Sequence, residues 1–482
     1  MRETRGVVTR LFFIIIILNS FFLNGAENHV AYIFDDRTLL SDDPESIKPQ
    51  VEETVPDIDE KPVVFVNADI LNVRHYPTTN SKRVTLAYRG DALSVIGRRK
   101  DANNMEWLNI EVKKEGKKYQ GWVAAEFTRG SRVELLNPLY KDLDYSPQEK
   151  IEYKSNPRVK ARGIYMTRYS STPTRIKHFL NVIKGTDINT FVIDIKNERG
   201  QLLFRSEAAE KHIPAANRSV MYRDREELRK VFAELKEKNI YVIGRLTAFK
   251  DDTYAKANPG AAVFDNETQE TYLDRDKLRW VSPHNRKYWE YLVELSKEAA
   301  DLGFNEIQYD YVRFTDWKSN LNFRNTKRES RAKAIQEFLK YAYSHLREKE
   351  VYVSADVFGL VGSASDDLNL GQYWEAVSNV VDYISPMIYP SHFSNGFGTI
   401  PIPDREPYKT IFIAARDAVA RNRNIKTPAI IRPWIQGFTA IWLKDHLHYE
   451  RKEILDQIRA LEAHGIDEYL IWNPRNRYPF LK

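Results

Sequence analysis

The chain of 482 residues contains no cysteine. No disulfide can staple it and no thiol can take a lipid, so its stability rests on packing. Long apolar runs are also missing. The one candidate, Leu11 to Leu18, is short for a membrane span. No glycine-rich phosphate loop follows the first strand of the large domain, which argues against a nucleotide-binding open sheet. No basic run with interleaved aromatics occurs, so nucleic acid is not an expected partner. The ten histidines include no His-x-x-x-His pair and no His-Glu-x-x-His helix, and no metal site or cofactor is expected. Two adjacent acids, Asp366-Asp367, are the faint exception that calcium would need.

Charge is distributed unevenly. Residues 1–26 hold three arginines against one glutamate, and residues 27–61 hold eleven acidic against three basic residues. With a net charge of +6 overall, the positive excess lies in 62–482. That balance is compatible with an anionic cell-envelope polymer, and equally with an ordinary solvated surface.

The N-terminus carries Arg2, Arg5 and Arg10, then the apolar run, then Gly25-Ala26. This is the pattern of a signal peptide over 1–26, cleaved near Ala26, with an uncleaved anchor as the alternative. Cleavage would leave no stable membrane span. The expected location is exported: periplasmic, extracellular or cell envelope. Residues 27–61, acidic and broken by prolines at 44, 49 and 56, are expected to form a disordered linker.

From Pro62 to about Thr128 the pattern changes to short β-rich segments at Val63–Asn67, Leu71–Val73, Ala92–Gly97, Trp107–Val112 and Gly121–Val123. Turns at Gly90-Asp91 and Glu115-Gly116 separate them, and a small all-β barrel is expected over 62–128. Leu71-Asn-Val-Arg74, Arg89-Gly-Asp91, Trp107-Leu108 and Gly121-Trp-Val123 resemble a bacterial SH3-like domain. The resemblance implies a module that targets peptidoglycan or another cell-wall polymer. Trp107 and Trp122 are expected to fill its core more readily than to form platforms. Residues 129–160, with prolines at 138, 147 and 157, are expected to be a connector.

Residues 161–482 alternate strand and helix eight times. Strand-like runs fall at Gly163–Thr167, Thr190–Lys196, Tyr241–Ala248, Glu306–Phe314, Tyr352–Phe358, Tyr383–Tyr389, Ala429–Gly437 and Glu468–Asn473. Amphipathic helical stretches lie between most of them, among them Asp224–Lys238, Arg286–Leu302 and Tyr449–His464. The expected fold class is α/β, a (β/α)8 TIM barrel behind a small all-β SH3-like barrel.

In such a barrel the C-terminal strand ends converge on one mouth. The residues placed there are Asp194, Lys196, Arg245, Gln308, Asp310, Arg313, Asp356, Tyr389, His392, Arg432, Trp434, Gln436 and Trp472. Aromatic faces stack on sugars, polar groups bond hydroxyls, and two carboxylates can divide acid and nucleophile duties. Any one member has a plainer role open to it: Asp310 can pair with Arg313, Asp194 with Lys196, and Trp472 can be core.

The ordered motifs Gly163-Ile-Tyr, Asn189 to Lys196, Gly303 to Phe314, Ser354 to Gly359, Gly371-Gln372, Asp382 to His392, Arg432 to Gln436 and Leu470 to Asn473 resemble a glycoside-hydrolase-like family of bacterial TIM-barrel proteins. One departure is Thr315, where proline is expected. The Gln-Tyr-Asp-Tyr segment is similar to fourth strands of retaining glycosidases, which implies Asp310 as nucleophile. Asp356 is then the acid/base, with Asp194 as its substitute, and the other mouth residues bind substrate. The implied activity is hydrolysis of an envelope or extracellular polysaccharide. The alternatives are a non-catalytic glycan-binding or envelope scaffold protein, and a carbohydrate esterase. The esterase would need a serine–histidine or metal device that the sequence does not display.

Overall fold

The computed structural model describes residues 61–114, 116–315 and 320–481. The expected signal peptide and nearly all of the expected linker lie outside the described residues. Among the described residues, no helix is long and apolar enough to cross a membrane.

The N-terminal module is one antiparallel sheet of seven strands. Its longest pairs run from Ala92–Lys100 to Glu106–Lys114 and on to Lys117–Ala124. Alternation decides which side chains enter: Leu71, Val73, Leu93, Val95, Leu108, Ile110, Val112 and Val123 form its core. Trp107 is buried, and its indole donates to Asp101 at 3.1 Å. Tyr76 is 70% exposed. A strand at Arg83–Tyr88 was not anticipated. Gly90 stands against the barrel: a Cβ there would lie 2.5 Å from Cβ of Arg423, and its φ is +80°. Arg132 donates to the carbonyls of both Gly90 and Arg423, joining the two units.

The large unit is a closed parallel barrel. Its eight strands are Arg162–Met166, Thr190–Lys196, Tyr241–Thr247, Glu306–Asp310, Tyr352–Phe358, Tyr383–Met387, the broken seventh strand Ile430–Ile431 with Trp434–Gln436, and Tyr469–Trp472. Each pairs in parallel with the next, and the eighth returns to the first. Outward residues such as Ile164, Ile193, Leu246, Ile307 and Ile471 join a core with the surrounding helices. The helices begin where side chains can cap them: Asp224, Asn285 and Ser330 each accept a first-turn amide. Gly303, at φ +112°, closes Arg286–Leu302 and turns the chain into the fourth strand.

The connector is part of the barrel. Tyr153 packs with the inward tyrosines of the floor, its ring 5.2 Å from that of Tyr352. Arg158 pairs with Asp382 at 2.8 Å and lies over the Tyr352 ring. Lys150 donates to the carbonyls of Asn379 and Val381, and Asn156 to those of Asn305 and Glu350. These residues close the N-terminal end, so the opposite end is the mouth.

Candidate active site

Inward positions of the barrel fall into layers. At the floor, Glu306 opens the fourth strand and Tyr383 the sixth, while Glu468 immediately precedes the eighth. Higher up stand Gln308, Ser354 and Ser385. At the mouth stand Asp194, Arg245, Asp310, Asp356 and Trp434, each two residues beyond an inward neighbour on its own strand.

Arg245 organises the mouth. Its Nε donates to Asp310 Oδ2 at 2.9 Å, a terminal nitrogen donates to the same oxygen, and Nη1 donates to Asp194 Oδ1 at 2.6 Å. The Tyr165 hydroxyl donates to the other oxygen of Asp194 at 2.7 Å. Burial pushes the Asp194 carboxyl up to about 6, opposed by Arg245 and Tyr165. The amide of Tyr311 donates to Asp310 Oδ1 at 2.5 Å. Tyr311 sits at φ +49°, so the chain bends sharply just after that carboxylate.

Asp356 is different. It is 1% exposed, and the indole of Trp434 donates to its Oδ1 at 2.8 Å. Burial, with the negative charge of Asp310 nearby, raises its proton affinity well above the usual carboxylate range; Arg245 and the indole only partly oppose this. Two neighbouring carboxyls thus have environments that differ in kind: one beside an arginine, the other in an aromatic wall.

The walls are Tyr165, Trp472 and Trp434. Tyr165 and Trp472 are stacked at 4.0 Å, and Trp434 meets Trp472 edge-on at 5.6 Å. The guanidinium of Arg245 lies over both stacked rings. Tyr389 is buried close enough to Asp356 and Asp310 for their charges to raise the affinity of its hydroxyl for its proton, although burial is the larger cause.

Other sequence-predicted residues lie apart from this group. Arg432 is fully buried on the floor, where it binds Glu306 and Glu468 at 2.8 Å with the Tyr383 ring 3.5 Å away. It precedes Trp434 by two residues, so it shares the inward face one layer lower. Lys196 is fully buried between Asp251, at 2.8 Å, and the Tyr288 hydroxyl. Gln308 is buried in the middle layer, 3.3 Å from Ser385 Oγ. Arg313 lies over the rings of Trp280 and Tyr311. Gln436 is a brace: it donates to Asp404 and the Phe438 carbonyl and accepts the amide of Ser391. His392 lies beside Tyr389, Phe438 and Trp442, and burial pushes its imidazole down to about 4.

Tyr165 received no role from sequence, although it occupies the inward, mouth-side position of the first strand. Tyr311 was seen only as a flank of Asp310. Among the described residues, no group of three or more His, Cys, Asp or Glu side chains could hold a metal ion. Asp367 accepts the Tyr140 hydroxyl and the amides of Asn369 and Gly371, a loop-bracing role.

A closed parallel barrel with carboxylates and aromatics at its C-terminal mouth has the architecture of a glycoside-hydrolase-like protein. Residues 163–478 match the family model described as Putative glycosyl hydrolase domain, and the chain belongs to that family. Residues 69–129 match the Bacterial SH3 domain. Among solved structures, the chain is similar to a hypothetical protein from Ruminiclostridium thermocellum ATCC 27405, at 34% identity over 40% of this chain and 97% of the other, with a TM-score of 0.35. It is similar also to the PgaB (BpsB) glycoside hydrolase domain from Bordetella bronchiseptica, at 13% identity over 65% and 94% of the two chains, TM-score 0.45. An α-galactosidase from Thermus thermophilus is similar at 10% identity over 86% and 83%, TM-score 0.42. No curated protein matches the chain.

Proposed function

We propose that the protein is an exported glycoside hydrolase that cleaves a cell-envelope or extracellular polysaccharide with Asp310 and Asp356. The observation that carries this reading is the contrast between the two carboxyls. Asp310 accepts two hydrogen bonds from Arg245, which orient its carboxyl for attack at the anomeric carbon. Asp356, buried against Trp434, has its proton affinity raised well above the usual carboxylate range and suits protonation of the leaving oxygen. Attack would form a glycosyl ester on Asp310 while the O–H of Asp356 passes its proton to the departing sugar. Asp356, now a carboxylate, would then take a proton from water as that water releases the ester. Tyr165, Trp472 and Tyr389 would pack against the sugar. Asp194 would hold Arg245 in place.

Export is read from the basic, apolar and small-residue pattern of residues 1–26. The SH3-like module would add affinity for a wall polymer. Non-catalytic glycan binding is the alternative. One observation favours it: Arg245 already occupies Asp310 and Asp194, as it would in a site that only recognises sugars.

Incubating the full-length chain with envelope and plant polysaccharides tests the proposal. New reducing ends support hydrolysis; retention on a polymer without new ends supports the scaffold. N-terminal sequencing of protein recovered from the cell envelope tests export, and a start just after Ala26 is expected.

A further inference from the structure

We propose that the loops after the sixth and seventh barrel strands carry a sugar-binding track that takes consecutive units of a linear, uncharged polysaccharide. It runs from Tyr389 through His392 and Phe438 to Trp442. The proposal rests on the hydrolase reading of the mouth and extends it outward.

The rings form a continuous series. Tyr389, beside the two carboxyls, is 5.2 Å from the His392 ring and 5.9 Å from Phe438. Phe438 and Trp442 stack at 5.8 Å with 26° between their planes, and His392 meets Trp442 edge-on at 6.2 Å. Burial falls along the series: Tyr389 is 6% exposed, His392, Phe438 and Trp442 are half-buried, and Ile441 beside Trp442 is 58% exposed. A loop that packed only for its own stability would turn these rings inward. Here the ring beside the carboxyls is buried and the three beyond it are partly exposed, as a chain leaving the mouth would require.

No member of the series carries a charge at neutral pH. Burial keeps the His392 imidazole neutral. Flat, uncharged rings suit the C–H faces of uncharged sugar rings. The track is also held in place before any ligand arrives. Gln436 donates to the Phe438 carbonyl at 3.1 Å and to Asp404 at 3.0 Å. Asp404 accepts the amide of Leu447, and Thr439 Oγ1 accepts that of Tyr449. A fixed loop loses little freedom on binding, which favours affinity.

Affinity electrophoresis of the full-length chain in gels containing pullulan, laminarin, hydroxyethylcellulose or glycol chitin tests the track. Wild type and Asp310→Asn should be retarded by at least one of these neutral polymers. Trp442→Ala should bind that polymer about tenfold more weakly. Trp442→Leu, which keeps apolar bulk but removes the flat face, should do the same with an unchanged thermal midpoint. Leu139→Ala, a control on the connector surface, should stay within about twofold of wild type. Equal retardation of wild type and both Trp442 variants overturns the proposal, as does no retardation of wild type by any of the polymers. Retardation that depends on Trp442, without new reducing ends, would leave the track standing and remove the hydrolase. New reducing ends with retardation indifferent to Trp442 would do the reverse.

Discussion

The indole Nε1 of Trp434 donates a 2.8 Å hydrogen bond to Oδ1 of Asp356, a carboxyl that pairs with no cation among the described residues. The bond favours the anion, whereas burial and Asp310 favour the acid, and burial is the largest influence. Trp434→Phe removes the one group of these that is easily replaced. The acid form of Asp356 should then persist to higher pH. The alkaline limb of the pH–rate profile should move upward, with a lower plateau because the carboxyl loses its positioning partner. An unmoved limb would separate Asp356 from the protonation step.

The raised proton affinity of Asp356 has a sign in stability too. A carboxyl held protonated in the folded state costs nothing below its unfolded pKa of about 4, and its penalty grows as pH rises toward the folded value. Asp356→Asn should therefore melt higher than wild type at neutral and mildly alkaline pH. The gap should close near pH 4. Thermal midpoints across pH read this directly.

Arg245 is 4% exposed and serves two carboxylates, so its replacement by methionine strands both. The expected loss is about 3–5 kcal/mol of stability, read by denaturant unfolding. Arg245→Lys keeps the charge but not the planar fork, and one ammonium is a poor substitute for three directed bonds. It should stay folded and be slower.

Arg432 makes the instructive contrast. Arg432→Met should cost a similar amount, because Glu306 and Glu468 would be left buried and unpaired. Replacing all three with apolar residues of similar volume should recover much of it. Polysaccharide affinity of the folded fraction should not change in either case, since these residues sit on the floor and not at the mouth.

The contacts of Lys150, Tyr153, Asn156 and Arg158 predict that the barrel needs its connector. A chain starting at residue 161 exposes Tyr352, Tyr383 and the uncompensated Asp382. It should be less soluble, or melt lower, than one starting at residue 129. Equal midpoints would show the plug to be dispensable.

Much of this architecture was legible in the sequence because the signals were local. An amphipathic pattern closed by Gly303 marked the helix from Arg286 to Leu302, and short strand-like runs marked the strands. The barrel layers were not legible. Arg432 and Trp434 read alike as inward residues of one strand, and only closure of the barrel reveals that two residues separate floor from mouth. Lys196 looked like a mouth residue because Asp194 is one. Its long side chain instead reaches Asp251 and Tyr288, a partnership made across distant parts of the chain. The two-residue strands at Phe264–Asp265, Glu270–Thr271 and Leu321–Asn322 form a small separate sheet and are too short to carry a period. Tyr165 could have been found: it is an inward residue of the first strand, level with Val192, and its hydroxyl reaches up to Asp194.

Asp310 and Asp356 divide the labour in the proposed reaction. The most direct test of that division is the initial rate of reducing-end release by full-length wild type, Asp310→Asn and Asp356→Asn on one polysaccharide that the wild type cleaves. Both variants should fold. Asp356→Asn should lose about 10²–10⁴ in rate through the missing general acid. Asp310→Asn should lose at least as much through the missing nucleophile. Rates within about twofold of wild type in either variant would contradict the assignment of that carboxyl.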